Sequence, residues 1–184
     1  MSIINRLKLE TDGRIDVDAS THRIDTIKST LNVGDLFQGG VIFYISGATS
    51  GLITVQNPVC SWWVWGTGGV STATRSGLGN GKYNTEDIVN AHLTGSKYCG
   101  IAAEGSYNFI SEGYDDWWLP NITELSTMIT NKDVCGINFM SSMWTSNQSP
   151  TDNRYAYLLF LAGGGGYYGK SSQGSCFPVR KYTI

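Results

Sequence analysis

The chain has 184 residues, of which 41% are apolar and only 15% charged, enough for one domain with a buried core and an appendage. A formal charge of −2 with scattered Lys and Arg leaves no electrostatic footprint for nucleic acid, so DNA and RNA are not expected partners. The 23 glycines and 10 tyrosines favour a loop-rich, strand-containing domain with an aromatic surface.

Residues 1–32 are charged, glycine-poor and free of tryptophan. They have no apolar run of secretory type, and no stretch of the chain approaches membrane-spanning length, so neither a leader nor membrane insertion is expected. In "GRIDVDAS", Ile15 and Val17 alternate with Arg14, Asp16 and Asp18, the period of a half-buried strand, and Ile24 and Ile27 follow in "HRIDTIK". So short a segment cannot bury its own apolar face. This predicts a strand-like extension over 1–32 that docks on another surface or assembles copies of the chain, ahead of a main domain over 33–184.

From "GGVIFYIS" the texture changes to short apolar runs separated by Gly, Asn and Ser. Residues 41–45 and 51–55 read as strands joined by the "SGATSG" turn. "NTEDIVNAHL" predicts a short helix capped by Asn84 or Thr85, with Ile88, Val89 and Leu93 on its buried stripe. "GIAAEGSYNFIS" predicts a second helical stretch. In "LPNITEL", Asn121 is an N-cap, and Glu124 sits three residues on, where it can close a capping box. Pro120 marks the corner into this helix, whose apolar stripe is Ile122, Leu125, Met128 and Ile129.

The preceding "GYDDWW" places Asp115 and Asp116 side by side. Neighbours on an extended segment face opposite ways, so they are not a catalytic carboxylate pair. Trp117 and Leu119 fall on one side and Trp118 on the other. Trp117, Leu119, Pro120, Asn121, Glu124 and Leu125 are therefore expected to be scaffold. After the helix, "SMWTSN", "YAYLLFLA", "YYGKSS" and "CFPVRKYTI" read as a meander of three or four strands.

"GGGYYGKS" matches the phosphate-cradling loop in letters, but "SSQGSCFP" cannot supply the helix that such a loop requires, so a glycine hairpin is expected and nucleotide binding rejected. No nucleophile elbow occurs, and neither His22 nor His92 has a neighbour suited to a triad. Cys60, Cys99, Cys135 and Cys176 are far apart, with no CxxC pair. They read as four small buried side chains, with three disulfide connectivities open in an oxidising setting and no metal site or cofactor expected. Trp62, Trp63 and Trp65 in "SWWVWG" suit either a sugar-stacking platform or core packing.

The order "GGVIFYI", "GLITVQ", "WG", "NTEDIV", "GYDDWWLPNITEL", "MWTSN", and a final Lys with "PVR" resembles the bacterial and phage domain family typified by the C-terminal domain of the Legionella collagen-like adhesin. Members carry a DW-x-LPs-x-x-EL signature, then YWSS and a terminal VR-x-VR. The likeness runs from about Gly34 to the C-terminus, and Asp116 to Leu125 carry it most specifically. Met143 stands where the family has Tyr, and the VR-x-VR pattern is altered around Cys176 and Phe177.

The resemblance implies an α+β, C-type-lectin-like domain with two short helices beside twisted antiparallel sheets. The calcium motifs of true lectins are not found. An enzyme of the formylglycine-generating kind, which shares the fold, would need Cys176 to pair with Cys99 or Cys135; a non-enzymatic module is expected instead. Ligands would meet the C-terminal strand and loop face, where Trp144, Asn147, Gln148, Asp152, Asn153, Arg154, Tyr155, Tyr157, Tyr167, Tyr168, Lys170 and Ser171 form a Tyr/Ser/Gly/Asn mix like that of evolved paratopes.

The expected protein is a phage virion surface or fibre component contacting a host-surface glycan or protein. It would be a homo-oligomer, a trimer by analogy with fibres, joined to other virion proteins through residues 1–32. The alternatives are a purely structural virion protein and a secreted bacterial adhesin domain.

Overall fold

The first described strands follow from short apolar runs broken by turn glycines. In the computed structural model, which describes residues 31–72, 74–93, 100–139 and 142–184, β1 (Leu36–Phe37), β2 (Gly40–Ser46) and β3 (Ser50–Thr54) form an antiparallel run. Ile15, Val17, Ile24 and Ile27, and with them the expected assembly segment, lie outside the described residues. Residues Asn32–Thr183 form one compact unit. Gly51 is required within β3, because a Cβ there would collide with the Tyr44 carbonyl and the Tyr182 ring.

β4 (Cys60–Val64) comes next, then α1 (Gly81–Leu93), α2 (Ala102–Tyr107), α3 (Ile122–Thr130) and the single turn α4 (Lys132–Cys135). Among the described residues there are thus four helices, not two. β5 (Ser142–Gln148), β6 (Tyr155–Phe160) and β7 (Gly165–Gly169) form the expected meander, but the last two strands leave it. β8 (Gln173–Cys176) returns between β4 and β5, antiparallel to the first and parallel to the second. β9 (Val179–Thr183) crosses to the other sheet and pairs with β3. The result is a mixed α+β domain with a four-stranded sheet, β1-β2-β3-β9, and a five-stranded sheet, β4-β8-β5-β6-β7.

Strand periodicity explains the core. Successive residues on β5, β6 and β8 point to opposite faces. Met143, Leu159 and Phe177 therefore join one cluster with Val41, Phe43, Leu125 and Met128, while Trp144, Leu158 and Cys176 join another with Ile88, Ala102 and Ala103. At its centre the five-stranded sheet is covered on both faces, which is why β6 reads as the apolar run "YAYLLF". Trp118 and Leu119 divide in the same way between the two clusters. Trp117 belongs to neither; it is buried edge-on to Phe109 with ring centroids 5.3 Å apart.

Asn84 and Thr85 do not cap α1, which starts at Gly81. Their side chains are used over longer range. Asn84 accepts from the Arg75 amide at 2.7 Å and donates to Ser146 Oγ at 3.2 Å, and Thr85 Oγ1 accepts from the Leu119 amide at 2.9 Å. The box at α3 forms as expected, with Asn121 and Glu124 each bonding the other's backbone N–H.

Candidate binding surface and its buried framework

The corner before α3 is organised by Glu124, a carboxylate with no exposed surface. One oxygen accepts from the Asn121 amide at 2.9 Å and Trp118 Nε1 at 3.2 Å; the other accepts from the Gly79 and Gly81 amides at 2.7 and 3.3 Å. Burial pushes its carboxyl above the ordinary range, and the four N–H donors oppose that push. Trp117, Leu119, Pro120, Asn121 and Leu125 are also buried around it. The two adjacent aspartates both line a cleft of about 420 Å³ shared with Lys82, Glu86 and Tyr107, but Asp116 alone of the two pairs with Arg180, whose guanidinium lies 3.8 Å from the Tyr114 ring centroid.

The residues expected on the ligand face separate into two layers. Trp144, Asn147 and Lys170 are not on the surface; at 0%, 2% and 1% exposure they form the layer beneath it. Trp144 donates its indole N–H to the Trp63 carbonyl at 2.9 Å. Asn147 Oδ1 accepts the Ile122 amide at 2.7 Å, tying β5 to the start of α3. Lys170 Nζ donates to the Val70 carbonyl and to Gln148 Oε1, each at 2.6 Å, and lies 4.3 Å from the Trp65 ring centroid. Gln148 is buried with it and also accepts from the Thr72 amide at 3.2 Å. "SMWTSNQ" is polar enough for a surface, but its polar groups are taken up by the loop over 65–76, by α1 and by α3.

The outer layer keeps the rest. Tyr155, Tyr167 and Tyr168 are 39%, 46% and 42% exposed. Tyr157 is half-buried with its ring edge-on to Tyr167 at 5.1 Å, and Tyr168 is edge-on to Phe160 at 5.5 Å. Arg154 forms a forked pair with Asp152 at 2.6 to 3.1 Å, holding the Asp152 carboxyl down at about 2, and its guanidinium lies 5.8 Å from the Tyr155 ring centroid. Asn153 donates to the Gly69 carbonyl and to Ser71 Oγ, both at 2.9 Å.

Two shallow clefts meet at Arg154. One, of about 380 Å³, is lined by Gly68, Tyr155, Gly169 and Ser171; the other, of about 410 Å³, by Ser71, Pro150, Asp152 and Asn153. A larger cleft of about 660 Å³ lies apart from them, between Leu36, Gln56 and Glu112, and no motif in the sequence marks it.

The remaining candidates resolve clearly. "GGGYYGKS" is β7 and the turn after it, with no helix at Lys170. Of the tryptophan cluster, Trp65 is core, Trp63 half-buried, and Trp62 is 59% exposed at a bulge of β4 with φ of 65°. His92 is buried as a structural link: Nε2 accepts the Thr67 amide at 2.9 Å, so Nδ1 carries the proton given to the Ile88 carbonyl at 2.8 Å. Cys60 and Cys176 are not free buried thiols but a disulfide with Cα atoms 5.4 Å apart, within the range such a bond spans; Cys135 is the free buried thiol among the described residues. Cys176 therefore has no pairing with Cys135. Among the described residues no group of three or more His, Cys, Asp or Glu is placed to hold a metal ion, and no helix is long and apolar enough to cross a membrane.

Lys170 gives this framework a pH signature. Removal from water lowers its amine from the ordinary 10.5 to about 8. Between those values the unfolded chain binds more protons than the folded one, so folding stability from this group rises as pH climbs from about 8 towards 10.5 and is flat below. Urea unfolding at intervals across that window should show wild type gaining on Lys170→Met as pH rises; a gap independent of pH would mean the amine titrates normally.

The geometry defines a mixed α+β domain that presents a tyrosine-rich surface on a hydrogen-bonded framework. Comparison of the chain with protein-family models and with curated proteins finds no match.

Proposed function

We propose that this is a C-type-lectin-like binding and display module of the adhesin C-terminal type that its Asp116–Leu125 signature resembles, carried on a phage virion surface or fibre and contacting a host-surface glycan or protein. The observation that carries the reading is the pairing of an exposed, adaptable layer with a rigid one. Tyr155 and Tyr167 stand on one face of β6 and β7 and Tyr168 on the other, Asn153 and the Arg154–Asp152 pair stand in the turn before β6, and Lys170, Gln148 and Asn147 hold these segments in place. Tyrosine gives contact area at low entropic cost, and a packed support keeps the array in one geometry. The Cys60–Cys176 disulfide supports display in an oxidising setting, which suits a virion or cell surface. Polyvalent display would raise the avidity of individually weak sites.

The test is alanine substitution at Tyr155 and at Tyr168, one on each face of the β6–β7 hairpin, read in parallel by thermal melting and by attachment to host cells and to a glycan array. Exposed rings should change stability by only about 0.5 kcal/mol. At least one variant should lose about 1 to 2 kcal/mol of binding while keeping the fold. Variants that melt and attach as wild type would remove this surface as the ligand site. Loss of virion assembly with attachment intact would favour the structural alternative, in which the same face docks another virion protein.

A further inference from the structure

The two sheets have four edges, and three of them are closed to further strands. β1 is only two residues long. β9 carries Arg180 and Lys181, exchanges backbone bonds of 2.9 and 2.8 Å between Val179 and Trp118, and has its Thr183 carbonyl covered by the Gln38 side chain at 3.1 Å. β4 is bulged between Cys60 and Trp63, bridges to Ile101 at Val64, and gives the following amide, Trp65, to the Lys170 carbonyl at 2.9 Å. Short length, charge, bulging and covering are the devices by which proteins keep sheet edges from adding strands.

β7 lacks charge, bulging and a two-residue length, and is covered at one carbonyl alone among the described residues. "GGYYG" is uncharged, lacks proline and pairs with β6 without a register shift. Its hydrogen-bonding parity can be read from the flanking bonds. The Lys170 amide donates to the Arg154 carbonyl at 3.0 Å and the Phe160 amide to the Gly164 carbonyl at 3.2 Å, both in the register that pairs Ala156 with Tyr168. Even-numbered residues of β7 therefore bond inward to β6, and Gly165, Tyr167 and Gly169 turn their backbone groups outward. Among the described residues these have no strand partner; only the Gly169 carbonyl is engaged, by the Ser172 amide at 2.8 Å.

We propose that β7 pairs antiparallel with β7 of a second copy, about a twofold axis at Tyr167. The outward groups are self-complementary in that register: Tyr167 faces its own counterpart, and Gly165 faces Gly169 in both directions. Charge permits it, since no ionised side chain of Ala162–Gly169 would face its like across the axis. Tyr157 and Tyr167, already edge-on at 5.1 Å, continue through the axis into a stripe of tyrosines shared by both copies. A twofold contact of this kind closes at two chains. Five-residue strands bury little area beside a standard interface, so a dimer populated on the order of 10 to 100 µM is expected. The inference needs no ligand; it shares Tyr167 with the attachment surface, and self-association measured without any ligand tests it separately from that reading.

Sedimentation velocity on the full chain across that range tests it, with Tyr167→Lys and Tyr167→Pro as variants. Lysine sets like charges across the axis; proline deletes an outward N–H that β6 does not use and suits an edge position. Each should weaken self-association by about tenfold or more without lowering the melting temperature of the dilute chain appreciably. Amides of Gly165, Tyr167 and Gly169 should become protected from hydrogen exchange as concentration rises. A chain that stays monomeric throughout, an oligomer that both variants leave intact, or edge amides that exchange freely at every concentration overturns the proposal. Protection appearing only with an added extended peptide overturns it in favour of a different occupant.

Discussion

Glu124→Ala is expected to remove about 4 kcal/mol or more of folding stability, a large share of what a domain of this size holds. The reason is the number of donors that it strands. Four N–H groups, from Gly79, Gly81, Asn121 and Trp118, end on its two oxygens inside the protein. Each buried donor left without an acceptor costs about 1 to 3 kcal/mol. Glu124→Gln tests the same point more sharply. Its single carbonyl can serve one pair of donors, and its NH₂ then confronts the other pair, so the near-isosteric change should be almost as damaging as alanine. Urea unfolding with an unchanged m-value is the measurement. If Glu124→Gln unfolds within about 1 kcal/mol of wild type, the carboxylate is not the hub described here.

Breaking the Cys60–Cys176 bond should be the other large effect. The bond closes 116 residues of chain, and loss of so long a closure typically costs about 2 to 5 kcal/mol. Cys60 is 4% exposed and Cys176 0%, so a reductant should reach the bond only when the domain opens, and reduction of the native protein should be slow. The double variant Cys60→Ser, Cys176→Ser should melt well below the oxidised wild type and match the reduced wild type. Because the bond ties β4 to β8, its loss should also expose Trp63 first, seen as a red shift in fluorescence ahead of global unfolding. Coincident melts of oxidised and reduced protein would show that sheet pairing alone holds this edge.

Signals confined to a few neighbouring residues were legible before any coordinates. The Asn121–Glu124 box, the strands around 41–45 and 51–55, the β5–β6–β7 meander and the absence of a helix after Lys170 all rest on local chemistry, and all are present. What failed to show depends on what lies across space. Asn84 and Thr85 are good capping residues by type, but Arg75, Ser146 and Leu119 compete for them and win. The run Thr145–Gln148 is polar enough for a surface, and only the loop and helix folded over it explain its burial. Glu124 was visible as a cap, whereas its bonds to Gly79 and Gly81 require a loop more than forty residues earlier in the chain. The cysteine pairing follows from the β4–β8 register, which no spacing rule encodes.

The placement of β9 has a consequence for synthesis of the protein. The four-stranded sheet takes three strands from the start of the domain and its fourth from the domain's far end. Thr54 bonds the Pro178 carbonyl across 124 residues, and Gln38 bonds the Thr183 carbonyl across 145. Contacts so distant in sequence make a fold slow to form. Until Val179–Thr183 have been made, β3 has no partner on that edge, so a copy truncated before them presents an unpaired apolar strand and is marked for aggregation or proteolysis. The four-stranded sheet thus closes only when both ends of the domain are present.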